Sequence, residues 1–165
     1  MMKTVEVVIK HPDRYSILDV EWVARKYGDI EPDSRRLETA KLFAFACCTC
    51  CLAPVAVRII KVPPKEYTLQ MFTSAKVSSL LVHKIIYETG YSATVPEMRN
   101  MGLSTLLLKT LIEDLYPMPI YSTTRISNVA VHRVLTKCGF ERIGRPFQGT
   151  RENVILWLKS HHIGN

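Results

Sequence analysis

The chain predicts an α/β fold, and three observations carry that expectation. Residues 94–105, TVPEMRNMGLST, read as a strand end, a proline stop and a glycine loop that opens a leucine-periodic helix. Residues 128–144 hold an apolar stripe at helical spacing (Val131, Val134, Leu135, Cys138) that Gly139 terminates. Lys41 to Lys61 and Phe140 to Lys159 read as two hairpins.

The elements follow in order. Val5 to Ile9 is a short strand broken by His11-Pro12-Asp13. Tyr15 to Tyr27 repeats Ile17, Val20, Val23 and Ala24 at helical spacing, and Gly28 stops it. An acidic loop from Asp29 to Asp33 follows, with Pro32 starting a second short helix through Leu37. Lys41 to Cys48 and Pro54 to Lys61 form the first hairpin, with Val55, Val57 and Ile59 alternating, and Pro63-Pro64 ends it. Tyr67 to Phe72 (YTLQMF) reads as a further strand. A turn or short helix runs to Val82, and a strand spans Ile85 to Val95.

After the glycine loop, Leu103, Leu106, Leu107, Leu111 and Leu115 mark the buried stripe of a helix that Pro117 and Pro119 stop. Ile120 to Thr124 is a strand leading to Ser127, the expected N-cap of the next helix. Gly139 is its left-handed stop, with Phe140 folding back on it. The closing hairpin turns at Gln148-Gly149. His161 and His162 lie in a tail expected to be mobile, and they are not read as a metal site.

A strand–loop–helix junction is physically an anion site. The first N–H groups of a helix have no intrahelical acceptor, and the helix dipole favours negative charge there. Gly102 lets a phosphate approach closely, and Ser104 and Thr105 are small enough to keep the first turn open.

Arg99-x-x-Gly102-x-Ser104 resembles the acyl-CoA loop of the GNAT superfamily of N-acetyltransferases, written Q/R-x-x-G-x-G/A, with Ser104 in the last small position. Asn128, followed eleven residues later by Gly139-Phe140, resembles the second signature of that family. Both stand in the family's order, and the resemblance covers residues 84–159. It implies a mixed, mostly antiparallel central sheet flanked by about four helices, in one acyl-CoA N-acyltransferase-like domain.

The resemblance also implies a chemistry: acetyl-CoA as co-substrate, and direct attack by a primary amine in a ternary complex. The N–H groups of Asn100, Met101, Gly102, Leu103, Ser104 and Thr105 would take the pyrophosphate. A splay between the strands ending near Ala93-Thr94-Val95 and Ile120 to Thr124 would receive the pantetheine and thioester, and Asn128 the pantetheine arm. The first two helices would wall the acceptor pocket, which brings Trp22, Tyr27, Asp29, Glu31 and Asp33 near substrate. Core aromatics and a solvated acidic turn are the plainer readings of those five.

Glu88, eleven residues before Arg99, matches the base glutamate of histone-acetyltransferase-like members. Partial burial would raise its pKa toward neutrality, and an exposed strand glutamate is the alternative. Many members carry a donor tyrosine seven residues after the asparagine, where this chain has Leu135. The branch resembling ribosomal-protein N-terminal acetyltransferases tolerates leucine there, in a run close to Arg133 to Phe140, and often has serine three residues after the asparagine, where this chain has Val131. Tyr121, Tyr91, a water or no donor at all remain open, with Tyr121 the candidate.

At 165 residues, 47% hydrophobic and 22% charged, the chain reads as one soluble globular domain. Its net charge of +7 suits an anionic partner. CoA, nucleic acid and anionic surfaces all satisfy that, as does a plain solubility charge. The N-terminus becomes charged at Lys3 and Glu6 before any apolar run develops, so no export signal is expected. The longest apolar-rich run, Leu42 to Val57, falls short of the ~20 residues of a membrane span.

Four of five cysteines cluster as CCTCC (Cys47, Cys48, Cys50, Cys51) in two overlapping C-x-x-C spacings. No second Cys/His pair follows at zinc-finger distance, and adjacent strand residues point to opposite faces. The expectation is buried thiols, no metal and a reducing cytoplasm.

The leading function is an acetyl-CoA-dependent N-acetyltransferase. A GNAT-like enzyme modifying nucleic acid and a non-catalytic acyl-CoA-binding module are its rivals. The implied partner is an amine acceptor, small molecule or protein. Nucleic acid and a second copy of the chain stay open, and no membrane is expected.

Overall fold

The computed structural model describes residues 4–28, 31–85 and 87–160. Asp29, His161 and His162 therefore lie outside the described residues. Seven strands, β1 (Val5–Lys10), β2 (Leu42–Cys48), β3 (Pro54–Lys61), β4 (Tyr87–Thr94), β5 (Ile120–Arg125), β6 (Glu141–Gln148) and β7 (Asn153–Lys159), form one sheet in the order β1-β2-β3-β4-β5-β7-β6. β1–β2, β2–β3, β5–β7 and β6–β7 are antiparallel, and β4 pairs in parallel with β5. The described residues carry five α-helices: α1 (Arg14–Tyr27), α2 (Ser34–Glu38), α3 (Lys65–Ser74), α4 (Leu103–Leu115) and α5 (Val129–Lys137). The chain forms the expected mixed, mostly antiparallel α/β sheet.

The residues cluster into two compact units. One comprises the chain up to Lys61 together with Thr89–Asp114; the other comprises Val62–Glu88 and the chain from Leu115 on. In the first, Val20 and Val23 of α1 and Leu37 of α2 pack on Phe43, Phe45, Val57, Ile59 and Ala93. β2 carries Leu42 to Ala46 buried on both faces, which is why its sequence runs apolar without alternation. In the second unit, Phe72, Ala75, Val82, Ile85, Tyr121, Phe147 and Leu156 form the core.

Both predicted hairpins are present at the expected ends. α1 starts on a capping box in which the Asp13 carboxylate accepts from the Ser16 N–H at 2.7 Å, and Ser16 accepts from the Asp13 N–H at 2.9 Å. The Ser16 backbone N–H foremost, and then its hydroxyl, hold the Asp13 carboxyl below its ordinary 3.8.

Four expectations are corrected. The segment YTLQMF is helical, inside α3: Pro64 precedes the first helical residue, and Thr68 and Phe72 are buried one turn apart. Its Leu, Gln and Met are good helix formers, and a six-residue window hides that period. On α4 the buried face is Leu103, Leu107, Leu108, Leu111, Ile112 and Leu115, while Leu106 points out. Asn128, rather than Ser127, caps α5, because Ser127 donates to Glu152 at 2.6 Å.

The fourth correction concerns the cysteines. Only Cys47 and Cys48 lie on β2; Cys50 and Cys51 sit in the turn to β3 and are exposed. Strand alternation therefore does not separate their sulfurs. The Cys48 sulfur meets the Cys50 thiol at 2.7 Å, and that contact foremost pulls Cys48 down to about 7. The same Cys48 contact pushes Cys50 up to about 11.

Gly144 in β6 is required: its φ is +68°, and a Cβ would run into the Ala75 carbonyl oxygen. Among the described residues, no helix is long and apolar enough to cross a membrane.

Candidate functional site

In the first unit, β4 ends at Thr94 and the chain turns through a short 3-10 helix at Pro96–Met98. Asn100 and Gly102 then both adopt left-handed backbone, with φ of +62° and +79°. Backbone turns that include left-handed residues are the kind in which successive N–H groups can form an anion-binding concavity. The first helical bond runs from the Leu106 N–H to the Gly102 carbonyl at 2.9 Å, so the N–H groups of Leu103, Ser104 and Thr105 precede it. Nothing lies within 4 Å of the position a Gly102 Cβ would take, so the concavity is open there.

Arg99 shapes this loop. Its Nε donates to the Thr94 carbonyl at 3.1 Å, and Nη2 donates to the carbonyl of Tyr27, the last residue of α1, at 3.0 Å. The guanidinium therefore fixes the loop to the ends of β4 and α1. Ser104 turns inward: its hydroxyl accepts from Arg58 at 3.1 Å and pairs with Ser92 at 3.2 Å.

Arg58 escaped the sequence reading. It lies on β3 at 1% exposure, with Nη1 donating to Thr89 at 3.4 Å. A buried cation at the first turn of α4 adds positive potential to that of the helix dipole. The available signal was its place in VAVRIIK, where an arginine interrupts a strand that is otherwise apolar up to its last residue.

No family model matches the chain, and no curated protein matches it in sequence. Solved structures do match. The ribosomal-protein-S18-alanine N-acetyltransferase of Escherichia coli superposes with a TM-score of 0.65 at 14% identity, covering 97% of this chain and 99% of that one. Arabidopsis thaliana NAA60 in complex with acetyl-CoA gives a TM-score of 0.70 at 12% identity, over 94% of this chain and 100% of that one. Arabidopsis thaliana Naa50, in complex with the bisubstrate analogue CoA-Ac-MVNAL, gives 0.69 at 12% identity, over 94% and 99%. This is the GNAT acetyltransferase fold.

On this GNAT fold the remaining predicted residues fall as follows. In the first unit, Tyr91 interrupts β4 with a left-handed φ of +42°, Lys61 lies 5.1 Å from its ring centroid, and its hydroxyl accepts from the Asp33 N–H at 3.5 Å. An aromatic residue at that φ is strained. Trp22 and Tyr27 pack edge to face at 5.7 Å with Lys26 over both rings. Trp22 is 47% exposed, so it is not a core aromatic. Asp33 caps α2 through the Arg35 N–H, and Glu31 pairs with Arg25 at 2.9 Å on the surface.

In the second unit, Glu88 pairs in register with Tyr121 and is 3% exposed, accepting from the Thr123 hydroxyl at 3.2 Å. Tyr121 is fully buried, its ring edge on Phe72 and its hydroxyl 3.3 Å from that of Thr68. Asn128 accepts from the Val131 N–H at 3.3 Å and is otherwise exposed at the start of α5. Gly139 has the expected left-handed φ of +78°, and the Phe140 N–H returns to the Leu135 carbonyl at 3.0 Å. Leu135, at the position many members give to a donor tyrosine, is fully buried.

Proposed function

We propose that this chain is an acetyl-CoA-dependent N-acetyltransferase in which a primary amine attacks the acetyl thioester directly in a ternary complex. The loop carries the reading: two left-handed residues, Asn100 and Gly102, lead into the start of α4, whose Ser104 accepts from a buried guanidinium. That is a pyrophosphate cradle by its chemistry. The amides of Asn100 to Thr105 bind the pyrophosphate, and Arg99 keeps the loop in shape. The backbone of Ala93 to Val95 and the amide of Asn128 are assigned to the pantetheine arm. Acetyl-CoA supplies the acetyl group as a thioester.

Glu88 is assigned as the base that takes the proton of the attacking ammonium group; its burial and its bond to Thr123 support a fixed carboxylate. Tyr121 is the weaker assignment, because Thr68 occupies its hydroxyl. A CoA thiolate is stable enough to leave without a donor and take its proton from water. Five free thiols support a reducing cytoplasm as the site of action.

A peptide amine is the first acceptor to test, since Naa50 is bound to a peptide bisubstrate analogue. The test pairs calorimetry with CoA and a thiol-release assay over peptide and small-molecule amines. One equivalent of bound CoA and amine-dependent release of CoA thiol are expected. No CoA binding would overturn the reading. Binding without release for any amine would leave the non-catalytic module, which the buried Leu135 and occupied Tyr121 favour.

A further inference from the structure

The β2–β3 turn does something that neither packing nor acetyl transfer explains. Cys48, Cys50 and Cys51 bring their sulfurs within 4.8 Å of one another, with Cys48 and Cys50 at 2.7 Å. Cys48 is buried, while Cys50 and Cys51 face solvent. Thiols placed for packing would be covered, and these two are not.

The backbone holds the set together. The Cys48 N–H donates to the Ala53 carbonyl at 2.9 Å, and the Leu52 N–H returns to the Cys48 carbonyl at 2.8 Å. Leu52 takes a left-handed φ of 56° to close the turn. Thr49 ties the outer edge to the Thr4 carbonyl through both its N–H and its hydroxyl, at 3.1 and 3.2 Å.

We propose that Cys48, Cys50 and Cys51 form a three-thiolate site for a soft d¹⁰ cation, cuprous copper. A metal–sulfur bond of about 2.3 Å places three trigonal sulfurs about 4 Å apart, within the 4.8 Å that the set spans once the Cys48–Cys50 pair opens from 2.7 Å. All-sulfur donors select thiophilic ions, cuprous copper among them. Zinc takes four ligands, so three sulfurs would leave it a position for water, and among the described residues no histidine or carboxylate joins this cluster. Cys47 is on the preceding strand position and packs against the core of the first unit. Binding replaces three S–H bonds with three S–Cu bonds and releases three protons to solvent. Copper stays cuprous and sulfur stays a thiolate, so no oxidant is needed.

The test uses the full chain, reduced and handled without oxygen, titrated with cuprous ion held by a chromophoric chelator. The parent should take one equivalent from the chelator, and X-ray absorption should show three sulfur neighbours and no nitrogen or oxygen. Cys50→Ser and Cys51→Ser should each lose that equivalent while keeping the parent's melting temperature, because both side chains are exposed. Cys47→Ser and Cys138→Ser should keep it. The proposal fails if the parent takes no copper, if the Cys50→Ser/Cys51→Ser double variant still takes a full equivalent, or if zinc outcompetes cuprous ion for the same three sulfurs.

Discussion

Arg58 and Ser104 meet in the interior of the first unit, the guanidinium donating to the hydroxyl at 3.1 Å. A cation at 1% exposure thereby holds the first turn of α4. The small residue at the last position of the Arg99-x-x-Gly102-x-Ser104 pattern is a structural contact: its hydroxyl faces inward to Arg58 and Ser92, away from the open side of the loop.

Arg58→Ala should destabilise the protein by about 2–4 kcal/mol, since it empties a large buried site and strands its partners. Ser104→Ala should cost about 1 kcal/mol. Urea unfolding of both single variants and the double variant should give a coupling of about 0.5–3 kcal/mol. Strict additivity would mean that the contact carries no energy of its own.

Gly102→Glu should abolish acetyl-CoA binding in calorimetry, because it sets a carboxylate where the pyrophosphate is assigned. Gly102→Ala meets no neighbour, yet its φ of +79° is unfavourable for any L side chain. It should cost about 1 kcal/mol of stability and weaken binding without eliminating it. Unchanged affinity in Gly102→Glu would remove the loop from the binding site.

Glu88→Gln should lower turnover by about 10²–10⁴-fold, the usual worth of general-base assistance. CoA affinity should hold, because the cofactor contacts are assigned elsewhere. The deficit should narrow as pH rises and more of the amine arrives unprotonated. Full activity across pH would reduce Glu88 to a strand residue.

Tyr121→Phe should keep the alkaline limb of the rate profile unchanged and cost about 1 kcal/mol of stability, the bond to Thr68. An alkaline fall in the parent that disappears in Tyr121→Phe would instead make it the proton donor.

Asp13→Asn should change acid stability in a defined direction. The folded Asp13 carboxyl titrates below 3.8, chiefly because the Ser16 N–H donates to it. Its contribution is therefore full above its unfolded value and is lost as pH falls through the folded one. Asparagine retains the cap acceptor but does not titrate there. The parent should lose stability more steeply than the variant below pH 3.8, read by thermal melts across that range.

Local chemistry was legible wherever one segment decided it. The proline stop, the glycine loop and the Gly139 stop are each set within about ten residues, and each hairpin by two neighbouring strands and their turn. The YTLQMF segment was not, because helix and strand periods agree over so short a window and the choice rests on which face Phe72 can bury. The N-cap of α5 shifted by one residue because Glu152, distant in sequence, claims the Ser127 hydroxyl.

By itself the sequence determined most of the elements in their order, the YTLQMF helix excepted, and the strand–loop–helix junction at Gly102, since these follow from local backbone preference and spacing. Tertiary structure alone decided what each polar group touches. It turned Ser104 inward onto Arg58 and gave the Arg99 guanidinium to the Tyr27 carbonyl. It spent the Tyr121 hydroxyl on Thr68 and gathered the Cys48, Cys50 and Cys51 sulfurs on one turn. The physical reason is range. Dihedral preference acts over a few residues, while a hydrogen bond or a sulfur contact joins whatever the packed chain brings within 3 or 4 Å, at any separation in sequence.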